Sequence, residues 1–477
     1  MSILTDLKFI LPEIVLVFGA MCIIVADSFV GLKQRTPVMV SLLFLSAALL
    51  FLSTTSPSAD SLFFGMLVYD PFAAFFKIIF IFVMLAVVLL SADYPEIPHA
   101  IRAEFYSFLL MIASAMMLLV GAKNLLMIYL GIEFVSLISY VLAAYWRGNL
   151  KSSEAGLKYF LFGTACSITM LYGISIVYGL VGSLDLVQVS YYLSHSHSNS
   201  IIISAGVLMV AVGLAFKMAV VPVHFWCPDV YEGAPTPVTA FFSVGPKLAG
   251  FAVFLRFLLA GGSFFHQHGV LLLGVLSVLT MVIGNITAIA QTNIKRLMAY
   301  SSIAHAGYAL IGLVVGGSMG MASLCIYLLT YMIMNIGAFA VIIAVSNKIK
   351  SDTIKDYSGL SLNAPYLAAL LSIFLVSLAG IPPLAGFVGK FYIFSAAIKE
   401  GYNYLAIAAV INSVIAAYYY FNIIRVMYLA APSGGATINV SPSLNLVLIL
   451  ALFFVLFIGI YPKPVIDFVS SALIVYP

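Results

Sequence analysis

Four charged side chains fall deep inside long apolar stretches of the chain or beside a break in one. They are Glu133, Lys217, Lys247 and Lys390. Desolvation disfavours the charged form of either group. A lone buried carboxyl therefore tends to hold its proton and a lone buried amine tends to release one. Brought near each other, they can share charge. One glutamate cannot pair with three lysines, so at least two amines need a purpose other than a fixed ion pair. An amine destabilised by burial sits where the gain or loss of one neighbour decides whether it carries a proton, which is what a proton relay requires. His224 and His305 add imidazoles, which titrate near neutrality and can pass a proton through two nitrogens. His305 lies beside Ser301 and Ser302. Lys158, on a predicted helix start, suits either the relay or the membrane surface.

Other reactive patterns are missing from the sequence. The four cysteines, Cys22, Cys166, Cys227 and Cys325, form no CxxC pair and no iron–sulfur spacing. No GxGxxG and no P-loop is found. The pairs His195/His197 and His266/His268 have no third ligand at fitting spacing, so no metal site is expected. Glu13, Asp229 and Glu232 fall near expected membrane faces. A scattered net charge of +4 does not suit nucleic acid.

The elements that hold these groups follow from composition. Hydrophobic residues make up 64% of the 477 and charged residues 8%, against roughly 25% charged in soluble domains. Such a chain cannot cover a water-exposed surface, so lipid must face most of it. A spanning helix needs about 20 apolar residues. The sequence predicts an all-α polytopic membrane protein of fourteen helices, near 9–30, 37–53, 71–92, 104–121, 123–145, 157–181, 201–222, 235–260, 269–291, 296–315, 321–346, 366–398, 402–430 and 443–461. The first run is too long for a typical signal core and reads as a retained helix. The odd-numbered loops carry Lys33, Arg35, Arg102, Arg147, Lys151, Lys295, Arg296, Lys348, Lys350 and Lys355. The even-numbered loops and the termini carry only Lys8, Lys123, Lys399 and Lys463. Positive charge favours the cytoplasm, which predicts both termini outside. Lys77 and Arg425 lie near helix ends and are expected to snorkel to the interface. Arg256 suits either a structural ion pair or a conduction path.

Two predicted helices are interrupted. Pro222, Pro228, Pro235 and Pro237 follow the seventh, and Gly380-Ile381-Pro382-Pro383-Leu384-Ala385-Gly386 divides the twelfth. Proline removes a backbone donor and clashes with the preceding turn. A break at membrane depth persists only where it lines a cavity or is buried in protein. The interruptions lie five helices apart, and an odd shift reverses direction across the membrane. This predicts two inverted five-helix repeats, each with a broken helix. The expected divisions are 1–103, 104–260, 261–430 and 431–477.

The stretch Val221-Pro222-Val223-His224-Phe225-Trp226-Cys227-Pro228-Asp229-Val230-Tyr231-Glu232-Gly233-Ala234-Pro235-Thr236-Pro237 resembles the signature of the proton-antiporter-like membrane subunits of respiratory complex I, the proton-translocating NADH:quinone oxidoreductase. Ala240-Phe241-Phe242-Ser243-Val244-Gly245-Pro246-Lys247-Leu248-Ala249-Gly250 is similar to the subunit N branch of that family. Gln291 to Ser302 and Gly380 to Phe387 match as well, and the likeness spans essentially the whole chain. The resemblance implies an ion pair of Glu133 with Lys217, a central relay lysine at Lys247, an exit-side lysine at Lys390, a family lysine at Lys158 and a crossing between repeats at His305. It also implies a bacterial inner membrane, other membrane-arm subunits and lipid as partners, and protons as the transported species. NADH, FMN, iron–sulfur clusters and quinone would then belong to other subunits, with no cofactor in this one.

Overall fold

A computed structural model describes residues 6–33, 35–58, 60–146, 148–195, 200–431 and 438–473. Arg147 and His197 fall outside these residues, and the side chains of His266 and His268 are likewise not described. All fourteen predicted helices form. They are α1 (Leu11–Val30, entered through a 3-10 turn), α2 (Thr36–Thr54), α3 (Pro71–Ser91), α4 (Arg102–Val120), α5 (Leu125–Ala143) and α6 (Leu150–Val181). The seventh is split into α7a (Ser200–Met218) and α7b (Trp226–Gly233). Then come α8 (Thr236–His268), α9 (Val270–Ile289), α10 (Ile294–Val315) and α11 (Gly317–Ile349). The twelfth is split into α12a (Pro365–Ala379) and α12b (Ala385–Lys399), followed by α13 (Asn403–Leu429) and α14 (Pro442–Ile460). Among the described residues, thirteen helices are long and apolar enough to cross a bilayer, and the first half of the twelfth, Pro365–Ala379, is a shorter apolar helix.

The helices differ in what they face. α8, α10 and α11 are buried almost all round and form the centre. α2, α6, α9, α13 and α14 turn large apolar side chains such as Leu43, Phe160, Leu271, Val414 and Phe453 outward. This inverts the pattern of a soluble protein and matches a lipid solvent. Small residues allow close helix approach: a Cβ at Gly173 on α6 would lie 2.6 Å from the Gly206 carbonyl on α7a. A two-stranded hairpin, Ser61–Leu62 with Leu67–Val68, closes one end beside Gly121 to Lys123.

Three expectations change. The sixth helix begins at Leu150 rather than 157, because Asn149 caps it by accepting from the Lys151 and Ser152 amides at 2.9 and 3.3 Å. Its first turns carry Lys151, Glu154 and Lys158, so a hydropathy window passes over them. Lys77 does not snorkel. It is buried on α3, 2.6 Å from Glu13 of α1, with its ammonium over the Tyr69 ring. Arg102 and Lys295, counted among loop cations, are also buried, and they donate to the loop carbonyls of Ala92, Tyr94 and Ala234.

Arg256 resolves as a structural pair. Its guanidinium on α8 meets Asp70 in a two-pronged contact at 2.9 and 3.0 Å, both side chains fully buried, and its Nε donates to the Val120 carbonyl. Asp70 also caps α3 by accepting from the Ala73 amide at 2.7 Å. One carboxylate thus fixes the start of α3 and ties it to α8 and α4. Removing one partner of such a buried pair costs roughly 3–5 kcal/mol, because the other charge is stranded. We therefore expect Asp70→Ala to lower the thermal unfolding midpoint in lipid nanodiscs steeply. Asp70→Leu combined with Arg256→Met should recover much of the loss.

Candidate functional site

Each broken helix leaves carbonyls without intrahelical partners. At the first break, the Ala215 carbonyl accepts from the Val220 amide at 3.0 Å. The Phe216 carbonyl accepts from the Ala219 amide and from the Trp226 indole, both at 3.1 Å. The Val221 amide donates to Thr280 Oγ1 of α9 at 3.2 Å. At the second break, the carbonyl of Ala379, the last residue of α12a, accepts from Lys390 Nζ at 2.9 Å and Ser413 Oγ at 3.1 Å. The negative end of a half-helix and an ammonium thereby satisfy each other in the interior.

The expected lysines divide by their partners. Lys390 on α12b also donates to Ser413 Oγ at 2.7 Å and lies 4.9 Å from the Tyr308 ring centre. Lys247 on α8 donates to Ser302 Oγ of α10 at 2.7 Å, 5.7 Å from the Tyr231 ring. Lys217, in the last turn of α7a, is 2% exposed and its amine has no hydrogen-bond partner. The Tyr159 and Phe216 rings stand near it, their centres at 5.7 and 5.9 Å. Glu133 on α5 is half-buried and its carboxylate accepts from Ser167 Oγ of α6. The Glu133–Lys217 pair implied by resemblance is therefore open in this conformation.

His305 lies inside α10, caged by tyrosines. Its Nδ1 meets the Tyr327 hydroxyl at 2.6 Å and its Nε2 the Tyr420 hydroxyl at 3.3 Å. Tyr420 also bonds Ser301 Oγ. Both imidazole nitrogens are thus engaged, so a proton taken at one can be released at the other. Ser302, which holds Lys247, is the neighbour of Ser301 and three residues from His305 on the same helix. Lys247 and His305 therefore share α10 as their support. His224 occupies the turn after the first break, buried, with Nδ1 unpartnered. Lys158 stands apart: its side chain is 37% exposed and pairs with Glu154 at 2.7 Å and Asp229 at 2.6 Å. The structure does not bring it to the buried lysines.

Sequence reasoning missed Tyr327, Tyr420 and Ser413, because aromatic and hydroxyl residues are too common in this chain to single out. It also missed Asp70, although Asp before Pro71 is a helix-start signal. Among the described residues, no group of three His, Cys, Asp or Glu could hold a metal ion.

Gly380 makes the second site possible. Its φ of +89° suits glycine, and a Cβ there would lie 2.6 Å from Lys390 Cδ. Gly401 has a similar φ of +83° with nothing within 4 Å of a Cβ. Left-handed strain alone costs about 1–2 kcal/mol. Gly380→Ala should therefore destabilise the protein more than Gly401→Ala in thermal unfolding. Equal losses would mean that Lys390 is not packed against Gly380.

Residues 122–416 match the family described as NADH:quinone oxidoreductase/Mrp antiporter, TM. The chain is 43% identical over 470 residues to NADH-quinone oxidoreductase subunit N 2 of Chloroherpeton thalassium, covering 95% of this chain and 92% of that one. A chain of respiratory complex I from Thermus thermophilus with bound aureothin superposes with a TM-score of 0.82 at 31% identity, over 96% of this chain and 99% of that one. A chain of the Mrp complex from Dietzia shares the fold, with a TM-score of 0.85 at 20% identity over 99% of this chain and 97% of that one. An extended helical membrane chain, two broken helices, interior lysines and these likenesses agree: the chain belongs to the NADH-quinone oxidoreductase subunit N family.

Proposed function

We propose that this chain is a proton-translocating, non-redox subunit of the membrane arm of a bacterial NADH:quinone oxidoreductase. In this reading it relays protons through Lys217, Lys247 and Lys390, with Glu133 as the switching carboxylate and His305 as the crossing. His224 lies on the uptake side, at the first break. The single observation that carries the reading is the unpartnered Lys217 amine, buried beside a broken helix while Lys247 and Lys390 are each held by neutral oxygens. Neutral acceptors leave an amine free to change its proton occupancy. A carboxylate partner such as Asp70 for Arg256 would fix it.

The relay runs as follows. Quinone reduction elsewhere in the complex shifts the membrane arm and alters the Glu133–Lys217 distance. A proton taken from the cytoplasmic side near the first break is passed from Lys217 to Lys247, across His305 and its tyrosines to Lys390, and out on the opposite side. Moving one charge across 100 mV costs about 2.3 kcal/mol, and one unit of pKa is worth about 1.4 kcal/mol. Swings of roughly two units at successive amines are of the needed size. Segments 104–260 and 261–430 act as inverted halves, flanked by 1–103 and 431–477, with both termini on the outer side. Other membrane-arm subunits are the partners, and NADH, FMN, iron–sulfur clusters and quinone belong to other subunits of the complex. Lys158 is left out of the relay on account of its exposure.

The rival reading is a subunit of a multisubunit sodium/proton antiporter, to which the Mrp fold likeness would extend. Sodium-dependent transport without NADH oxidation would favour it. Replacing Lys217 or Lys247 by Gln should cut NADH-driven proton uptake into inverted membrane vesicles several-fold while assembly is retained. Wild-type uptake from both variants would end the relay assignment.

A further inference from the structure

α7b is eight residues long, too short to hold itself by helix propensity. It packs between α6 and α10 and presents two different faces. Cys227 and Tyr231, four residues apart, are fully buried toward the relay. Cys227 Sγ lies 3.8 Å from Ser302 Oγ, and the Tyr231 ring is 5.7 Å from Lys247 Nζ. Asp229 and Glu232, three residues apart, point the other way, into an open cavity of about 200 Å³ that is also lined by Lys151, Glu154, Lys158 and Arg296. Every charged group lining that cavity is paired. Arg296 of α10 reaches Asp229 at 2.6 Å and Glu232 at 3.0 Å. Lys158 reaches Asp229 at 2.6 Å and Glu154 at 2.7 Å, and Lys151 reaches Glu232 at 2.8 Å. At its end α7b is pressed against α6, since a Cβ at Gly233 would lie 2.3 Å from the Lys151 carbonyl. The half-helix is thus a wall. The Lys158 side chain is 37% exposed, whereas Lys247 behind the wall is 2% exposed.

We propose that Lys158 and Arg296 are positioning residues. By clamping Asp229 and Glu232, they hold α7b so that Cys227 and Tyr231 shut the Lys247–Ser302 contact off from the aqueous cavity. The inference rests on the relay reading for its functional consequence, but the clamp itself is a matter of ion pairing. Without the two cations, Asp229, Glu232 and nearby Glu154 would repel one another, and α7b would lose its ionic hold on both neighbours. Lys158 thereby acts through its fixed charge and not by giving up a proton. That assignment separates two outcomes, because arginine retains the charge but does not release a proton at neutral pH.

The test uses the assembled complex in membrane vesicles, with Cys22, Cys166 and Cys325 replaced by Ala. Modification of Cys227 by a water-soluble cationic methanethiosulfonate is followed by mass spectrometry, alongside NADH-driven proton uptake. Cys227 should be protected in the parent and in Lys158→Arg. It should react several-fold faster in Lys158→Gln, and roughly tenfold faster or more in Lys158→Gln/Arg296→Gln, since shared partners make the losses larger together than singly. If the double variant does not assemble, Asp229→Asn removes the shared carboxylate and carries the same expectation. Uptake should fall as labelling rises and be retained in Lys158→Arg. Parent-rate labelling in the double variant, or in Asp229→Asn where that variant stands in for it, overturns the clamp. Lost uptake in Lys158→Arg with Cys227 still protected overturns the positioning role and makes Lys158 a proton carrier. Failure of the relay reading would show separately, as unchanged uptake in Lys247→Gln.

Discussion

Inside a bilayer no water is at hand to take up a charge or an unpaired carbonyl, so the protein itself must supply every partner. Much of this architecture follows from that constraint. Fixed charges are matched by opposite ones: Arg256 by Asp70, and Lys77 by Glu13. The breaks in α7 and α12 raise the same demand for backbone groups. At the second break a single contact meets both demands, because the ammonium of Lys390 satisfies the end of α12a. A broken helix and a buried lysine are two halves of one solution.

The two breaks are not equivalent. Lys390 follows its break and reaches back to the half-helix end, whereas Lys217 precedes its break and finds no acceptor. The freed carbonyl of Phe216 is taken instead by the Trp226 indole. Trp226 in turn stacks on Tyr159, whose ring is also the one nearest the Lys217 amine. The aromatic packing that completes the first break therefore keeps Lys217 from the kind of contact that holds Lys390. Its remaining recourse is a carboxylate, and Glu133 is held by Ser167 on a separate helix pair. In the proposed relay, an amine without a fixed acceptor is the part that moves between partners.

Sequence revealed what depends on long runs and strong local chemistry. The spanning helices and both breaks were visible because twenty apolar residues and a proline cluster permit few alternatives. The start of α6 was not, since a capping Asn149 and charged first turns look like loop. Position along a helix proved a poor guide to depth: Lys77 lies near the start of α3, yet α1 and Tyr69 cover it. Partner identity needed tertiary contact. Nothing local marks Asp70 as the mate of Arg256, 186 residues away, or names Asp229 as the partner of Lys158, 71 residues away. The caging of His305 likewise depends on Tyr420 of α13, 115 residues away, as well as on Tyr327 of the next helix.

The central claim is that Glu133 and Lys217 work as one switch, although they stand apart in this conformation. A double-mutant cycle on protons pumped per NADH oxidised tests it directly, using Glu133→Gln, Lys217→Gln and the two combined. Residues that act as a unit lose their function together. The account predicts that the double variant pumps no worse than the weaker single variant. Losses that multiply independently would contradict it.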